Sequence, residues 1–337
     1  MSKNIDYNIT SFENLYESSL KCALGVKWKR STAHYLLNQL EETYKLSTKF
    51  KNGTYKERKH KIFKIYEPKE REVLSISFID RVYQRALNDL VIYPIMTNSF
   101  IYDNCACQKG KGTDFARERL KLFLHRYYNK YGDNKGYIVH IDIRKYYPTM
   151  SHKVALNLFK RKLPPNIYER VYDILRIYKG EKGYYAGSQL IQILGVAILD
   201  KLDHYIKEQL RVKYYVRYMD DLILIVREEP QKYIDIIEKE LNKLEFELNK
   251  KKTVIRKLYQ GDIFLGFNFR LSDTGKVYQC LSTKNIKRAK RKSKSRSKAQ
   301  FDTWWSYAKK STSQKRILEV KRIYESTSQN GIAEIRV

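Results

Sequence analysis

The chain has 337 residues, of which 42% are hydrophobic, so it can build one large domain or a few subdomains around a real core and is not a disordered chain. Its 67 lysines and arginines outnumber its 37 aspartates and glutamates by 67 − 37 = 30. A compact protein tolerates such self-repulsion best when a polyanion neutralises it, so nucleic acid is the first candidate partner and an anionic membrane surface the second. The 29 tyrosines, 13 phenylalanines and 3 tryptophans also offer flat surfaces on which bases can stack.

The N-terminus and the cysteines are typical of a cytoplasmic protein. The opening residues lack a basic segment followed by an apolar one, and no apolar run approaches the length of a membrane span. The four cysteines, at positions 22, 105, 107 and 280, have no metal-finger spacing, and we interpret them as reduced thiols. We therefore expect a cytoplasmic protein without a membrane partner.

The first part of the chain alternates between helical and strand patterns. Apolar residues at helical spacing predict helices over about 9–48. Residues 61–78 alternate apolar and polar side chains around EPKE and predict two strands joined by a turn, whereas 79–95 return to a helical period. A loop containing KGKGT (109–113) then leads into a basic helix.

The order of elements becomes informative from residue 136 onward. The patterns predict a buried strand (136–143), helices (151–178 and 188–210), two strands around Met-Asp-Asp (213–226), a helix (230–246) and further strands (251–258 and 262–271). This is the split βαβ arrangement, an antiparallel sheet with helices on one face. The fold class is therefore α+β.

The last segment is strongly basic. Nine lysines and arginines lie between residues 284 and 298, and aromatic residues follow at Trp304, Trp305 and Tyr307. A solvated or disordered tail is the simplest alternative for such a charge run. The neighbouring apolar residues instead favour a basic helix that faces a polyanion.

Paired carboxylates lie between the two predicted strands of VRYMDDLILIV (216–226). Asp220 and Asp221 at a hairpin turn can project from the sheet edge, and Asp142 ends a strand that lies next to this hairpin in the split βαβ order. Three clustered carboxylates repel each other unless a cation neutralises them, and Mg²⁺ prefers carboxylate and phosphate oxygens. Two such ions, ~3.5–4 Å apart, stabilise both the attacking and the leaving oxygen of a phosphoryl transfer. The sequence thus predicts nucleotide addition to a nucleic acid strand.

Seven motifs in chain order resemble those of reverse transcriptases. They are EPKEREVLSISFIDRVYQRAL (67–87), KGKGT (109–113), DIRKYYPTMSH (142–152), GSQLIQ (187–192), YMDD (218–221), LNKKKT (248–253) and FLGF (264–267). By pattern the chain is similar to bacterial group-II-intron-like enzymes, which include the reverse transcriptases of diversity-generating retroelements and of antiphage defence. The resemblance implies a right-hand polymerase: N-terminal helices and fingers over 1–135, a ferredoxin-like palm over 136–270, and a helical basic thumb with a tail over 271–337. Within the palm, residues 184–210 would form a motif helix that borders the fingers.

The resemblance also implies roles for individual residues at the catalytic centre. Asp142 and Asp220 would be the principal ligands of two Mg²⁺ ions, for which Mn²⁺ is a possible substitute, with support from Asp221 and from the backbone carbonyl of Ile143. Tyr147 would exclude a ribose 2′-OH and so select deoxynucleotides, although a plain core tyrosine is a fair alternative. Lys252 would protonate the pyrophosphate leaving group, and the adjacent Lys250 and Lys251 leave the register of this assignment open.

Further roles concern the triphosphate, the template and the nucleic acid. Lys69 and Arg71 would grip the triphosphate, with an ordinary exposed turn as the alternative. Gly187 and Gln192 would lie near the templating base. The predicted nucleic-acid contacts are Lys109 and Lys111 in the KGKGT loop, Phe264, Leu265 and Gly266 in a primer grip, and Lys284, Lys287, Arg288 and Arg291 along the thumb.

Three departures from the family pattern narrow the expected subgroup. Ile191-Gln192 stands where many relatives have a Ser/Thr-Pro or Ser-Gln pair, which argues against an ordinary retroviral-type enzyme. Ala186 stands where diversity-generating enzymes carry a larger aliphatic residue, which argues against that subgroup. The sequence ends after the expected thumb, so we expect no RNase H or endonuclease domain.

The interpretation is an RNA-directed DNA polymerase that uses dNTPs and a structured non-coding RNA as template, primer or both, and releases a cDNA product. Antiphage defence is the favoured role, followed by protein diversification and intron mobility, with an accessory or effector protein and a homo-oligomer as possible partners. A non-catalytic RNA-binding scaffold is the alternative of another class, which the three aspartates disfavour. An RNA-dependent RNA polymerase and a protein-primed or template-independent DNA polymerase are further alternatives, and Tyr147 disfavours the first.

Overall fold

The computed structural model describes residues 8–58, 60–66, 70–185, 187–293 and 295–333, with side chains described as far as residue 327. The N-terminal region consists of helices α1 (Phe12–Ala23), α2 (Arg30–Leu37) and α3 (Gln39–Lys51), which confirms the helical pattern of the sequence. Leu15, Tyr35 and Leu46 from these helices form a small separate core with Phe78 and Val82.

A two-stranded ribbon follows the N-terminal helices. Strands β1 (Lys61–Ile65) and β2 (Arg71–Ser75) pair in antiparallel register, so the predicted strand pair is confirmed. Every residue of β1 is exposed, and the ribbon therefore projects from the body of the protein. The predicted turn residue Lys69 lies outside the described residues.

The predicted helix over 79–95 forms, with a wider turn inside it. Helix α4 (Phe78–Leu87) passes through a π-helical turn (Asn88–Ile92) into α5 (Tyr93–Thr97), whose first turn contains Pro94. Proline has no backbone N–H, so the start of α5 is where the helix tolerates it. The basic helix α6 (Thr113–Tyr131) follows the KGKGT loop and ends at Gly132 in the left-handed conformation (φ 69°).

The central sheet has the predicted split βαβ topology. Its strands are β3 (Tyr137–Asp142), β4 (Tyr214–Tyr218), β5 (Asp221–Val226) and β6 (Val254–Lys257). Their order is β4-β5-β3-β6, and all neighbouring strands are antiparallel. Between β3 and β4 the chain forms α7 (Tyr146–Thr149), α8 (His152–Lys162), α9 (Pro165–Leu175), α10 (Gln189–Ala197), α11 (Asp200–His204) and a π-helical turn (Tyr205–Gln209), and between β5 and β6 it forms α12 (Pro230–Asn242).

Both faces of the central sheet are buried. Val139 and Ile141 lie in the largest core together with residues of α8 to α12, which is the helical layer that the sequence predicted. Ile138, Ile223 and Ile225 point into a second core that α6 shares with a second sheet, so the opposite face is covered as well. Burial on both faces explains why β5 reads as a continuous apolar run rather than an alternating one.

The C-terminal region combines a second sheet with three helices: β7 (Asp262–Phe264), β8 (Phe267–Leu271), β9 (Val277–Leu281), α13 (Thr283–Ser293), α14 (Lys298–Ala308) and α15 (Lys315–Ala333). Strand β9 pairs with β8 and was not predicted. The expected boundary between palm and thumb, after residue 270, would fall inside β8. Across the described ranges, no helix combines the length and the apolar character that crossing a membrane requires.

Candidate active site

Three carboxylates meet at one end of the central sheet. Asp142, the last residue of β3, lies directly opposite Asp221, the first residue of β5, in the antiparallel register. Asp220 occupies the turn between β4 and β5, next to Met219, whose φ of 56° is in the left-handed region. The order of the strands predicted that these three carboxylates converge. The pairing of Asp142 with Asp221 and the tight turn at Asp220 bring them to the same end of the sheet.

Asp142 is held by two side chains from the segment before β6. Lys252 Nζ donates to both carboxylate oxygens, at 2.8 and 3.1 Å, and Asn249 Nδ2 donates to Oδ2 at 2.8 Å. The hydrogen bond to Asp142 raises the pKa of Lys252. Lys252 and Asp142, which were both predicted as catalytic residues, are thus in direct contact. More than half of the Lys252 side chain is exposed to solvent.

The environment of Asp220 disfavours its negative charge. Burial is the main cause, and the neighbouring charges of Asp221 and Asp142 add to it, so that the pKa of Asp220 rises to about 6. A bound cation would relieve this repulsion. The carboxylate oxygens of the site are therefore ligands that suit a hard divalent cation.

Among the described residues, no group of three or more acidic, histidine or cysteine side chains is arranged so that it could hold a metal ion by itself. The sequence had predicted three converging carboxylates that share two ions. Mg²⁺ is usually held by one or two carboxylates together with substrate phosphates rather than by a cage of protein ligands. The carboxylates fit a cation that is completed by phosphate oxygens, and the ligand role of Ile143, which is buried, stays a prediction.

A cleft of about 1320 Å³ opens beside these carboxylates. Six predicted site residues line it: Arg71, Asp142, Ile143, Tyr147, Asp220 and Lys252. Arg71 comes from the exposed ribbon and the other five come from the palm region, so the cleft brings together residues that are far apart in sequence. Asp221, Gly187 and Gln192 do not line it.

Tyr147 stands over a glycine of helix α10. A Cβ atom at Gly195 would lie 2.8 Å from the hydroxyl oxygen of Tyr147, so only glycine leaves room for the ring in this position. The preceding Tyr146 donates its hydroxyl hydrogen to the carbonyl of Gly195 at 2.5 Å. Burial raises the pKa of Tyr147, which therefore stays a neutral phenol. The two tyrosines and α10 form one packed unit at the wall of the cleft.

Gly187 connects the palm region to the ribbon. A Cβ atom there would approach the carbonyl oxygen of Leu74 in β2 to 2.6 Å, and the φ of 141° also favours glycine. Gln192, one turn into α10, is exposed to solvent. The predicted contacts of both residues with a templating base stay predictions.

The KGKGT loop uses one of its two predicted lysines internally. Lys111 Nζ donates to the carbonyls of Tyr102 and Asn104, at 2.8 and 3.0 Å, and burial lowers its pKa. Two of the three ammonium donors are thus bound by the chain, and the contact of Lys111 with nucleic acid stays a prediction. Lys109 is exposed, and its role stays a prediction.

The FLGF segment forms the turn between β7 and β8. The side chain of Phe264 is 1% exposed and packs in the second core, so it cannot contact nucleic acid, which corrects that part of the predicted primer grip. The carbonyl of Leu265 accepts hydrogen bonds from Arg117 and Tyr307, and a Cβ atom at Gly266 would collide with the Tyr307 hydroxyl. These contacts fix the turn against α6 and α14.

Helix α13 presents a basic face to solvent. Lys284, Lys287, Arg288 and Arg291, all predicted contacts, are exposed at helical spacing, whereas Ile286, Ala289 and Ser293 are buried on the opposite face. The expected basic helix is therefore present. Its contact with a nucleic acid duplex stays a prediction.

Sequence reasoning missed Arg217, which supports the Met-Asp-Asp turn from inside. Its side chain is fully buried and donates to both carboxylate oxygens of Asp203, at 2.6 and 2.7 Å. It also donates to the carbonyls of Met219 and Val196, each at 2.9 Å. The sequence could have indicated this role, because an arginine inside the apolar strand YYVRY requires buried hydrogen-bond partners.

His140 was missed for the same reason, as a polar residue within the strand GYIVHIDI. Its Nδ1 lies 2.6 Å from Asp262, and its Nε2 lies 3.5 Å from Asp221. Burial alone would lower the pKa of His140, but the two neighbouring aspartates, one of which is hydrogen-bonded to Nδ1, outweigh it and raise the pKa to about 9. An imidazolium therefore lies behind Asp221 at neutral pH.

The sheet topology, with acidic residues at one end of the central sheet, together with the exposed ribbon and the basic C-terminal helices, is that of a right-hand polymerase. Residues 58–269, more than half of the chain, match the family described as reverse transcriptase (RNA-dependent DNA polymerase). The chain belongs to the reverse transcriptase family. Among curated proteins no relative matches it.

Solved structures of yeast telomerases are similar in fold. The apo telomerase of Candida tropicalis truncated from its C-terminal domain is 15% identical, over 65% of this chain and 54% of that chain, with a TM-score of 0.50. Telomerase from Candida albicans in complex with a TWJ fragment of telomeric RNA is 14% identical over 70% of this chain and 49% of that one, with a TM-score of 0.49. The chain spans about half the length of these proteins, and the first similarity supports the fold alone.

Proposed function

We propose that this chain is an RNA-directed DNA polymerase that adds deoxynucleotides to a primer on an RNA template. The observation that carries the proposal is the cleft of about 1320 Å³, which gathers Asp142, Asp220, Lys252, Tyr147 and Arg71 from four separate motifs of the reverse transcriptase family. A scaffold that only binds RNA gains nothing from carboxylates that face phosphates. The clustered, mutually repelling aspartates therefore favour catalysis over simple binding.

Asp142, Asp220 and Asp221 would hold divalent cations, for which Mg²⁺ is the proposed identity and two the proposed number. Such cations, when bound, stabilise the charge on the attacking and leaving oxygens of phosphoryl transfer. The protein's own contribution is to fix the carboxylates at the ends of β3 and β5, where the strand register sets their spacing.

The remaining residues around the cleft supply binding, selection and a proton. Arg71, on the exposed ribbon, is placed to bind the triphosphate with charge-assisted hydrogen bonds. Lys252 Nζ carries protons beside Asp142 and can donate one to the pyrophosphate leaving group. Tyr147, fixed over Gly195, would block a ribose 2′-OH and so select deoxynucleotides.

We further propose that the template comes from a structured non-coding RNA and that the enzyme acts in bacterial antiphage defence. The support for the RNA is the net charge of +30 and the exposed basic face of α13. The support for the role is the resemblance of the motifs to the bacterial group-II-intron-like lineage.

Primer extension on an RNA template tests the catalytic proposal directly. The wild-type chain is expected to incorporate dNTPs in the presence of Mg²⁺, and Asp220→Asn to lower kcat by at least about 100-fold because a charge-stabilising ligand is lost. RNA binding, measured by filter retention, should stay within about twofold in this variant because no basic residue that could contact a phosphate changes.

Asp235→Asn is the matched control for this experiment. Asp235 is exposed on α12 and accepts a hydrogen bond from Gln231, which asparagine can also accept. It should extend the primer like the wild type. Undiminished extension by Asp220→Asn, or no extension by a folded wild-type chain that binds RNA, would refute the proposed activity.

A further inference from the structure

A groove of about 660 Å³ lies on the second sheet, away from the catalytic cleft. The inner face of this sheet, with Phe267 and Phe269, packs in the second core. The alternate residues Asn268 and Arg270 line the groove on the outer face, as does Tyr278 of β9. The groove and the catalytic cleft have no lining residue in common.

The walls of the groove are built by defined hydrogen bonds. Thr312 N–H donates to the carbonyl of Gln279 at 2.7 Å, and the Gln279 N–H donates back to Thr312 Oγ1 at 2.9 Å. The Leu281 N–H donates to Ser311 Oγ at 3.1 Å. The segment before α15 is thereby attached to the edge of β9 and closes one side of the groove.

The groove carries only positive charge. Its charged lining residues are Arg270, Lys276, Lys284 and Arg316, and no aspartate or glutamate lines it. Within the described part of the chain, none of the four has a carboxylate at ion-pair distance. The catalytic cleft differs, since both acidic and basic residues line it. Four uncompensated cations in one groove favour an anionic ligand.

The groove also offers an aromatic side chain and an amide. The ring of Tyr278 lies 4.5 Å from the Arg270 guanidinium and 5.2 Å from the Lys276 ammonium. Asn268 lines the groove and is partly exposed, although its Oδ1 is enclosed by the chain. An asparagine amide can donate to a ribose 2′-OH, which is an acceptor as well as a donor.

We propose that this groove binds the sugar–phosphate backbone of an RNA segment outside the polymerisation cleft. Phosphates meet Arg270, Lys276, Lys284 and Arg316, and a ribose hydroxyl reaches Asn268. The inference rests on the proposed function in one respect, that the chain works on RNA. It goes beyond that function because it gives the RNA a second point of attachment, which lets a structured RNA stay bound while its template region moves through the active site.

The test is a triple variant, Arg270→Gln, Lys276→Gln and Arg316→Gln, in the full chain. The probes are an RNA stem–loop, the DNA hairpin of the same sequence and vesicles that contain phosphatidylserine. For the RNA stem–loop, the slope of log K against log salt concentration should become shallower by roughly 2–3, because three phosphate contacts are lost. Affinity for the DNA hairpin should fall less, and extension of a short primer–template duplex should stay unchanged.

A second triple variant on α8, Lys153→Gln, Lys160→Gln and Arg161→Gln, removes the same charge from exposed positions and serves as the control. The proposal is overturned if the two triple variants bind the RNA stem–loop equally well, or if the groove variant loses only vesicle binding. It is also overturned if short-duplex extension falls together with stem–loop binding, because the groove would then belong to the polymerisation path. Failure of the wild-type chain to extend any primer would count against the proposed function and leave the stem–loop measurement interpretable.

Discussion

Arg217 shows how one buried side chain sets the geometry of the candidate active site. It joins Asp203 of α11 to the carbonyl of Met219, the residue before Asp220. A buried ion pair is weak support for a stability role, because apolar residues of similar size often stabilise a fold equally well. Its value here is the orientation of a turn whose Met219 adopts a left-handed backbone conformation.

The combined substitution Arg217→Met, Asp203→Leu and Tyr215→Phe separates this positioning role from stability. It removes the ion pair and the Tyr215 hydroxyl that donates to Asp203, so no buried charge is left without a partner. We expect the free energy of unfolding to stay within about 2 kcal/mol of the wild type. The kcat/KM of primer extension should fall about 10–100-fold, because the turn that carries Asp220 loses the donor that orients the Met219 carbonyl.

Arg217→Met alone is the reference for that experiment. It leaves Asp203 buried and unpaired, and should destabilise the fold by about 3–5 kcal/mol. If the combined variant instead polymerises as fast as the wild type, Arg217 has no positioning role.

Tyr147 is the residue that should decide between deoxynucleotides and ribonucleotides. Tyr147→Val removes the ring that stands over Gly195, so a ribose 2′-OH no longer meets it, and incorporation of ribonucleotides should rise at least about tenfold relative to dNTPs. The ratio of kcat/KM for the two nucleotide classes is the measurement. Tyr172→Val, at an exposed position of α9, should leave the ratio unchanged. An unaltered ratio in Tyr147→Val would reduce Tyr147 to a core tyrosine.

At the scale of secondary-structure elements, one polar chain connects the segment before β1 to two helices. Gln84 of α4 donates to Glu57 at 2.6 Å and accepts a hydrogen bond from Ser188 at 2.9 Å. Ser188 also accepts a hydrogen bond from the N–H of Leu190 and so caps α10, the helix that supports Tyr147. Burial raises the pKa of Glu57 from 4.5 to about 7 despite the hydrogen bond from Gln84.

This pKa predicts how stability changes with pH. Because the folded-state pKa is raised, the contribution of neutral Glu57 is fully present below pH 4.5 and is lost as pH rises through about 7. Glu57→Gln keeps the acceptor for Gln84 without the charge. It should stabilise the fold by about 2 kcal/mol at pH 8 and have little effect at pH 4.5.

Urea unfolding of both chains across this pH range measures the difference. Glu70→Gln, on the exposed ribbon, is the control and should show no such pH dependence. Equal stabilities of Glu57→Gln and the wild type at pH 8 would contradict the assigned pKa.

For the whole molecule, the sequence was most informative where local pattern and topology agree. The strand patterns around Asp142 and Asp221, together with the split βαβ order, sufficed to predict that the strand of Asp142 lies next to the hairpin, and the pairing of β3 with β5 confirms it. The basic face of α13 could also be predicted from the sequence, because its basic and its apolar residues recur separately at helical spacing.

The features that were missed depend on partners that are remote in the chain. The internal hydrogen bonds of Lys111 were not predicted, because the carbonyls of Tyr102 and Asn104 come near its ammonium only in the folded loop. Phe264 turned inward because the second sheet packs on α6, which no local pattern shows. Strand β9 follows a turn at Gly275, and its pairing with β8 was not predicted from the sequence.

The central claim is that Asp142, Asp220 and Asp221 hold divalent cations together with substrate phosphates. The most direct test is the affinity for a non-hydrolysable dNTP with and without Mg²⁺, measured by calorimetry on the wild type and on Asp142→Asn. Because the carboxylates do not enclose a cation by themselves, Mg²⁺ should tighten nucleotide binding to the wild type by at least about tenfold and have no effect on Asp142→Asn. Equal Mg²⁺-dependent tightening in both chains would contradict the account.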